Sequence, residues 1–159
     1  MTLAVADLFL RRVKMPWLLG GAIDEPAHLA TGAVLLANLP AATPAWTAAY
    51  AAGCVAVDVD HVPLIPRRNR FRRKGPRPVA HTLLVPAGLA AAARFTRGRA
   101  REALLGLAAG TCVHFLRDVA TGTGLQPLQP LSRRSIRLPA SAYGLVLGLL
   151  AARARGLVE

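Results

Sequence analysis

Apolar residues fall into five runs along this chain, and proline, glycine or arginine clusters separate one from the next. The first covers roughly residues 27–39 and is halted by Pro40; the second begins after Pro44 and reaches about Val57. A third occupies about 79–93, a fourth 102–119 and a last one about 140–152. Between them lie a basic, proline-containing connection at 62–78, an arginine-rich turn at 94–101, and a stretch from Thr121 to Pro139 punctuated by glycine and proline. Alanine and leucine dominate the runs, which favours helix over strand. Glu102 opens the fourth run, where its charge suits the positive end of a helix dipole. The pattern predicts an all-α fold: a compact, membrane-associated bundle of about four core helices plus a C-terminal helix. Residues 27–159 form one domain on this reading, and residues 1–26 precede it as an amphipathic, basic segment.

Composition moves this bundle toward a membrane. Of 159 residues, 53% are hydrophobic, above the ~45–50% usual for soluble domains. None of the runs reaches the ~20 apolar residues of a comfortable span. Runs of about 13–18 residues rise only about 20–27 Å as helices, short of a ~30 Å hydrocarbon core. Thin or tilted spans, or tight association with the surface, are therefore expected, and the location is the cell membrane. At the N-terminus the apolar stretch Leu3–Leu10 precedes Arg11, Arg12 and Lys14. That order is the reverse of a secretory signal and suits a short amphipathic helix on an anionic surface. Cys54 and Cys112 sit in apolar, alanine-rich surroundings and read as small core residues rather than a disulfide.

The formal charge of +12 is concentrated in two connections. Arg67, Arg68, Arg70, Arg72, Arg73, Lys74 and Arg77 crowd the first; Arg94, Arg97, Arg99 and Arg101 crowd the second. Such patches meet nucleic acid or acidic lipid headgroups. No nucleic-acid motif is present and aromatics reach only 5%, so base stacking has little to work with. Membrane lipids with anionic headgroups are the expected partner, and nucleic acid is disfavoured.

The candidate chemistry lies in four histidines and a few carboxylates. Short connections make consecutive helices antiparallel neighbours. On that topology His28 starts the first helix, Asp58 to His61 end the second, His81 starts the third, and His114 with Asp118 end the fourth. All then gather at one end of the bundle. His114 and Asp118, four apart, share a helix face, as do Asp58 and His61, three apart. Asp60 points elsewhere unless the helix has already ended. Carboxylates and imidazoles in apolar surroundings are costly unless paired, protonated or bound to metal. A helix cap at His28 and a hydrogen-bonded pair at His114 and Asp118 are the plain alternatives. Mixed donors of this kind suit zinc, manganese or iron, and carboxylates beyond four ligands permit two metals bridged by an aspartate.

Four motifs follow in order: His28-Leu-Ala-Thr-Gly, Val57-Asp-Val-Asp-His61, Arg77-Pro-Val-Ala-His81-Thr-Leu-Leu84 and Gly110-Thr-Cys-Val-His114-Phe-Leu-Arg-Asp118. The last continues through Thr121-Gly-Thr-Gly-Leu-Gln-Pro127. Over about residues 27–139 the chain resembles the predicted membrane-bound, metal-dependent hydrolases of the YdjM-like, LexA-regulated inner-membrane type. That family shows an initial His, a Pro-Asp-Ile-Asp-His block, a His-Arg-Gly-x-Thr-His-Ser block and a His-x-x-x-Asp block before a Gly/Pro-rich loop. Two departures are visible: Pro76 stands at the first histidine of the third block, and Pro78 at its glycine.

The resemblance implies a multi-helix membrane protein whose metal ligands are His28, Asp58, His81, His114 and Asp118, with Asp60 and His61 next. The cofactor is a divalent metal ion, zinc first, with manganese or iron as alternatives. The activity expected is hydrolysis of a phosphate ester or lipid-borne substrate through a metal-activated water. Asp60 orients or deprotonates that water, and Arg77 pairs with a phosphate oxygen. His61 and Thr82 hold the ligands in orientation. The rival expectation is a non-catalytic helical membrane protein with a structural metal or polar layer, and Pro76 motivates it.

Overall fold

Five α-helices, and among the described residues no strand, build the structure, a computed structural model that describes residues 16–61, 79–121, 124–132 and 134–156. They are α1 (Trp17–Leu36), α2 (Pro44–Ala56), α3 (Leu84–Ala93), α4 (Gly98–Thr121) and α5 (Ala140–Gly156). The fold is all-α, as the run pattern predicts. The N-terminal basic segment up to residue 15 and the basic connection at 62–78 lie outside the described residues.

Helix α1 begins well ahead of the expected residue 27. Pro16 precedes it, and it runs straight through Pro26. A proline inside a helix removes one hydrogen bond and crowds the preceding turn. Pro26 is exposed, so the carbonyl it fails to engage is on a face open to solvent. At its far end α1 stops where Ala37 caps back onto Ala33 and Leu35. In α2 proline plays the opposite part: Pro44 takes the first helical position, where no amide hydrogen is needed. The Thr43 side chain accepts the Trp46 amide at 3.3 Å and donates to Glu102 of α4 at 2.8 Å.

The closest helix pair is α2 with α4, and glycine makes it possible. A Cβ at Gly106 would collide with the Trp46 carbonyl, one at Gly110 with the Tyr50 carbonyl, and one at Gly53 with the Leu107 carbonyl. Small residues four apart on one face let two backbones approach closely, as they do in membrane helix pairs. Helix α4 alone among the described residues is long and apolar enough to cross a membrane, and half of its apolar window is buried inside the protein. The 102–119 run underestimates it because Gly98, Arg99 and Arg101 are helical too.

Helix α5 closes the bundle by burying Tyr143 and Leu147 against Ala120, Leu116 and Val34. Its other face, with Leu145, Val146 and Leu149, is exposed. Between α4 and α5 the chain folds back through an isolated antiparallel bridge, Leu125 to Ile136. Leu125 packs with Val57 and Phe115, and Pro127 accepts the Leu83 amide at 3.0 Å. This stretch therefore caps the end of the bundle from which Asp58, His81 and His114 project.

Candidate metal centre

Helix α4 supplies the most constrained donor. His114 is fully buried, and its Nδ1 lies 2.8 Å from the Cys54 carbonyl of α2. A carbonyl only accepts, so the ring proton sits on Nδ1 and the lone pair is left on Nε2. That Nε2 faces two carboxylates, Asp58 Oδ1 and Asp118 Oδ2, each at 3.6 Å. Asp118 is one turn further along the same face of α4.

After Ala56 the chain tightens into a 3-10 turn over residues 57–61. Helical spacing no longer applies there, and Asp60 does not point away as a continuing helix would make it. Its Oδ1 lies 3.0 Å from His61 Nδ1 and its Oδ2 3.5 Å from His81 Nδ1. Asp58 turns inward as well, 3.0 Å from His81 Nε2 and 3.2 Å from His61 Nδ1. His81, also fully buried, ends the short 3-10 element Val79–His81 and stands just ahead of α3 rather than within it.

Four donor atoms consequently close a ring. His81 Nε2 to Asp58 Oδ1 is 3.0 Å, Asp58 Oδ1 to His114 Nε2 3.6 Å, His114 Nε2 to Asp118 Oδ2 3.6 Å, and Asp118 Oδ2 back to His81 Nε2 3.7 Å. Tetrahedral ligands at zinc bond lengths of ~2.0–2.1 Å stand about 3.3–3.4 Å apart. The ring straddles that spacing.

His28 joins from an unexpected place. It lies in the interior of α1, not at its start. It reaches the layer because α1 extends beyond the layer at its N-terminal end. Its ring stacks on His114, centroids 3.8 Å apart and planes within 7°. His28 is buried, and among the described residues neither of its nitrogens has a hydrogen-bond partner. The imidazoles form a row, with centroid separations of 4.7 Å from His61 to His81 and 5.4 Å from His81 to His114.

Those orphaned nitrogens test whether the donor set suits a metal. A buried imidazole with two unsatisfied nitrogens carries a desolvation cost that a hydrogen bond or a metal bond would remove. Two groups, His28 with His114 and Asp118, and Asp58 with His61 and His81, each bring one donor atom per residue within 4.8 Å of one another. Both are spaced to hold a metal ion, and Asp58 touches histidines of each. The residues fit the group. Burial alone would lower the pKa of His61, but hydrogen bonds to Asp58 and Asp60 outweigh it and raise the value to about 9. A proton thus takes the position between these carboxylates that a cation would take.

The layer also contains acids and a base that the sequence reading did not place there. Glu25 of α1 hydrogen-bonds Asp58, which two carboxyl groups can do only if one keeps its proton. Arg117, fully buried, meets Asp24 at 2.8 Å. The signal was present: Asp24 is four residues before His28, and an arginine inside an apolar helix demands a partner. Thr82 is fully buried beside His81. Arg77 lies outside the described residues, as do Pro76 and the larger basic cluster. The second basic cluster, at Arg94, Arg97, Arg99 and Arg101, is exposed at the opposite end of α3 and α4. Of the two cysteines Cys54 is buried as expected, but Cys112 is exposed, and both are free thiols.

The family model described as YdjM inner membrane protein matches residues 23–157. No curated protein and no solved structure matches the chain.

Proposed function

The chain belongs to the YdjM inner membrane protein family, and on that premise we propose that it is a membrane-bound, metal-dependent hydrolase acting on a phosphate ester, lipid-borne or small. The observation that carries this reading is the ring of His81, Asp58, His114 and Asp118, with His28 stacked beside it and lacking any other partner. These five residues would hold a divalent ion. Mixed nitrogen and carboxylate donors favour zinc, with manganese or iron as alternatives. The donors exceed what one ion takes, so a second ion, which Asp58, His61 and His81 would hold, belongs to the proposal. When bound, such a metal lowers the pKa of a coordinated water toward ~7 and polarises a phosphoryl oxygen.

The chain's own residues divide the remaining work. Asp60, within reach of His61 Nδ1 and His81 Nδ1, would take the proton from the attacking water. The Cys54 carbonyl fixes the tautomer of neutral His114, so its Nε2 lone pair is directed at Asp58 and Asp118. His61 and the buried Thr82 keep Asp58 and His81 in orientation. Arg77 pairs with the phosphate from the basic connection. That connection and the N-terminal basic segment favour anionic lipid headgroups as the surroundings in which substrate is met.

The test is a metal assay on full-length protein purified in detergent without chelators. Stoichiometric zinc, manganese or iron is expected, and His81→Ala and His114→Ala should each weaken retention roughly 100-fold or more, beyond the 10–100-fold typical of outer partners. Metal-free protein under these conditions would overturn the reading. Retained metal without turnover of any phosphomonoester, phosphodiester or phospholipid would instead support the non-catalytic alternative that Pro76 motivates.

A further inference from the structure

Two contacts link α1 to α4 on one shared face. Asp24 and His28 are four residues apart, so on α1 they stand one turn from each other; His114 and Arg117 are three apart and do the same on α4. The carboxylate of Asp24 meets Arg117 at 2.8 Å, and the ring of His28 stacks on His114 at 3.8 Å. As numbers rise on α1 they fall on α4, so the pairs are successive rungs between antiparallel helices. The lower rung is a charged hydrogen bond, buried on both sides.

The upper rung lacks any such device. Among the described residues neither nitrogen of His28 has a hydrogen-bond partner, so ring stacking and the register of α1 set its position. Register is fixed C-terminally of His28 by Tyr50 donating to the Gly32 carbonyl at 3.0 Å and by the 2.7 Å contact between Thr31 and Tyr143 hydroxyls. N-terminally, Pro26 removes one of the helix's own hydrogen bonds. The described tethers there are Glu25, which hydrogen-bonds Asp58, and the Asp24–Arg117 pair, which alone of the two joins α1 to α4.

We propose that the Asp24–Arg117 pair is a positioning device for the metal centre, which holds α1 in the register that presents His28 beside His114. The inference rests on the metal reading for its consequence, but the positioning itself is a property of the metal-free protein. Arg117 directly precedes the candidate ligand Asp118, so the same side chain also ties the Asp118 end of α4 to α1. Breaking the pair releases His28 from the layer while His81, Asp58, His114 and Asp118 keep their ring.

The experiment uses the full chain in detergent with cobalt(II) as the probe metal. Asp24→Asn and Arg117→Lys are compared with the charge-swapped double variant, Asp24→Arg with Arg117→Asp. Tyr143→Phe serves as the control, because it loosens α1 on the other side of His28 without touching the pair. X-ray absorption counts histidine nitrogens on cobalt. Histidine-selective NMR of the metal-free protein reads the stacked rings through their ring-current shifts.

Asp24→Asn is expected to lose one histidine from the cobalt shell, weaken cobalt binding about 10- to 100-fold and remove the ring-current shifts. Arg117→Lys should keep the ion pair in part and fall between. The swap should restore the histidine count, and Tyr143→Phe should leave it unchanged despite lower thermal stability. An unchanged histidine count and unchanged ring-current shifts in Asp24→Asn would overturn the proposal. So would equal losses in Tyr143→Phe, which would mean that any loosening of α1 has this effect. Wild-type protein that takes up no cobalt yet loses its stacked signals in Asp24→Asn would refute the metal reading and leave the positioning role standing.

Discussion

His61 illustrates how one residue couples the metal centre to pH. Its Nδ1 lies between Asp58 and Asp60, whose hydrogen bonds outweigh burial and raise its pKa from 6.5 to about 9. A raised folded-state pKa contributes stability that is complete below the unfolded value and is lost as pH climbs through the folded one. Metal-free protein should therefore lose thermal stability between about pH 6.5 and pH 9, and His61→Asn should flatten that slope. Metal affinity should run the other way, rising over the same interval as protons cease to compete for the imidazoles. Titration calorimetry with zinc at several pH values, beside thermal melts of chelator-treated protein, would check both signs. At this scale the sequence was informative about residue type. Apolar neighbours around Asp58, His81, His114 and Asp118 marked them as expensive unless satisfied. Arg117 carries the same signal, because a guanidinium in an apolar helix poses the same demand. For Asp60 the sequence left two directions open, depending on where the helix ends, and the tightening after Ala56 selects the inward one.

At the level of helices, the α2–α4 contact sets the reach of His114, because the carbonyl that fixes its ring belongs to Cys54 of α2. Gly110 and Gly53 let the two backbones come that close. Gly110→Ala should destabilise the protein by about 1–3 kcal/mol through overpacking and lower metal retention as well, since the Cys54 carbonyl would be pushed from His114. Gly88→Ala in α3 and Gly144→Ala in α5 meet open space. Those two should be neutral or stabilising by up to ~1 kcal/mol from helix propensity alone. Tyr143→Phe removes the hydroxyl contact to Thr31 and should cost about 1 kcal/mol with the metal site intact. Thermal melts and metal content of the four variants, prepared side by side, separate packing from ligation. Helix boundaries were legible where proline or glycine acts without ambiguity, as at Pro44. They failed at the start of α1, expected at about residue 27, because a proline at 26 is tolerated on the open side of a helix that begins at Trp17.

Over the whole molecule, the donors come from four places far apart in the chain: α1, the turn after α2, the turn before α3, and α4. A ligand that ties these together acts on the folded state only. Saturating metal at 100 times its dissociation constant should raise stability by about 2.7 kcal/mol, visible as a higher melting temperature that falls on chelation. The same experiment with His28→Ala should show a smaller rise, because the ring of four donors survives without it. Helix α4 is membrane-length yet half buried inside the protein, and α5 leaves Leu145, Val146 and Leu149 exposed. Full-length protein should accordingly remain in the membrane fraction after high-salt washing, which strips purely electrostatic association, and require detergent for release.

Run lengths, helix-favouring composition and the order of the motifs were enough to predict an all-helical bundle and the family resemblance, because both depend on local residue pattern. They also marked the histidines and aspartates for attention, since burial of such groups is costly wherever it occurs. What local pattern does not contain is distance between segments. That His28 meets His114 face to face, that Asp58 stands between two histidine groups, and that Asp24 finds Arg117 follow from the glycine-mediated approach of α2 to α4 and the extra turns of α1. Those are tertiary facts, set by which backbones can come into contact.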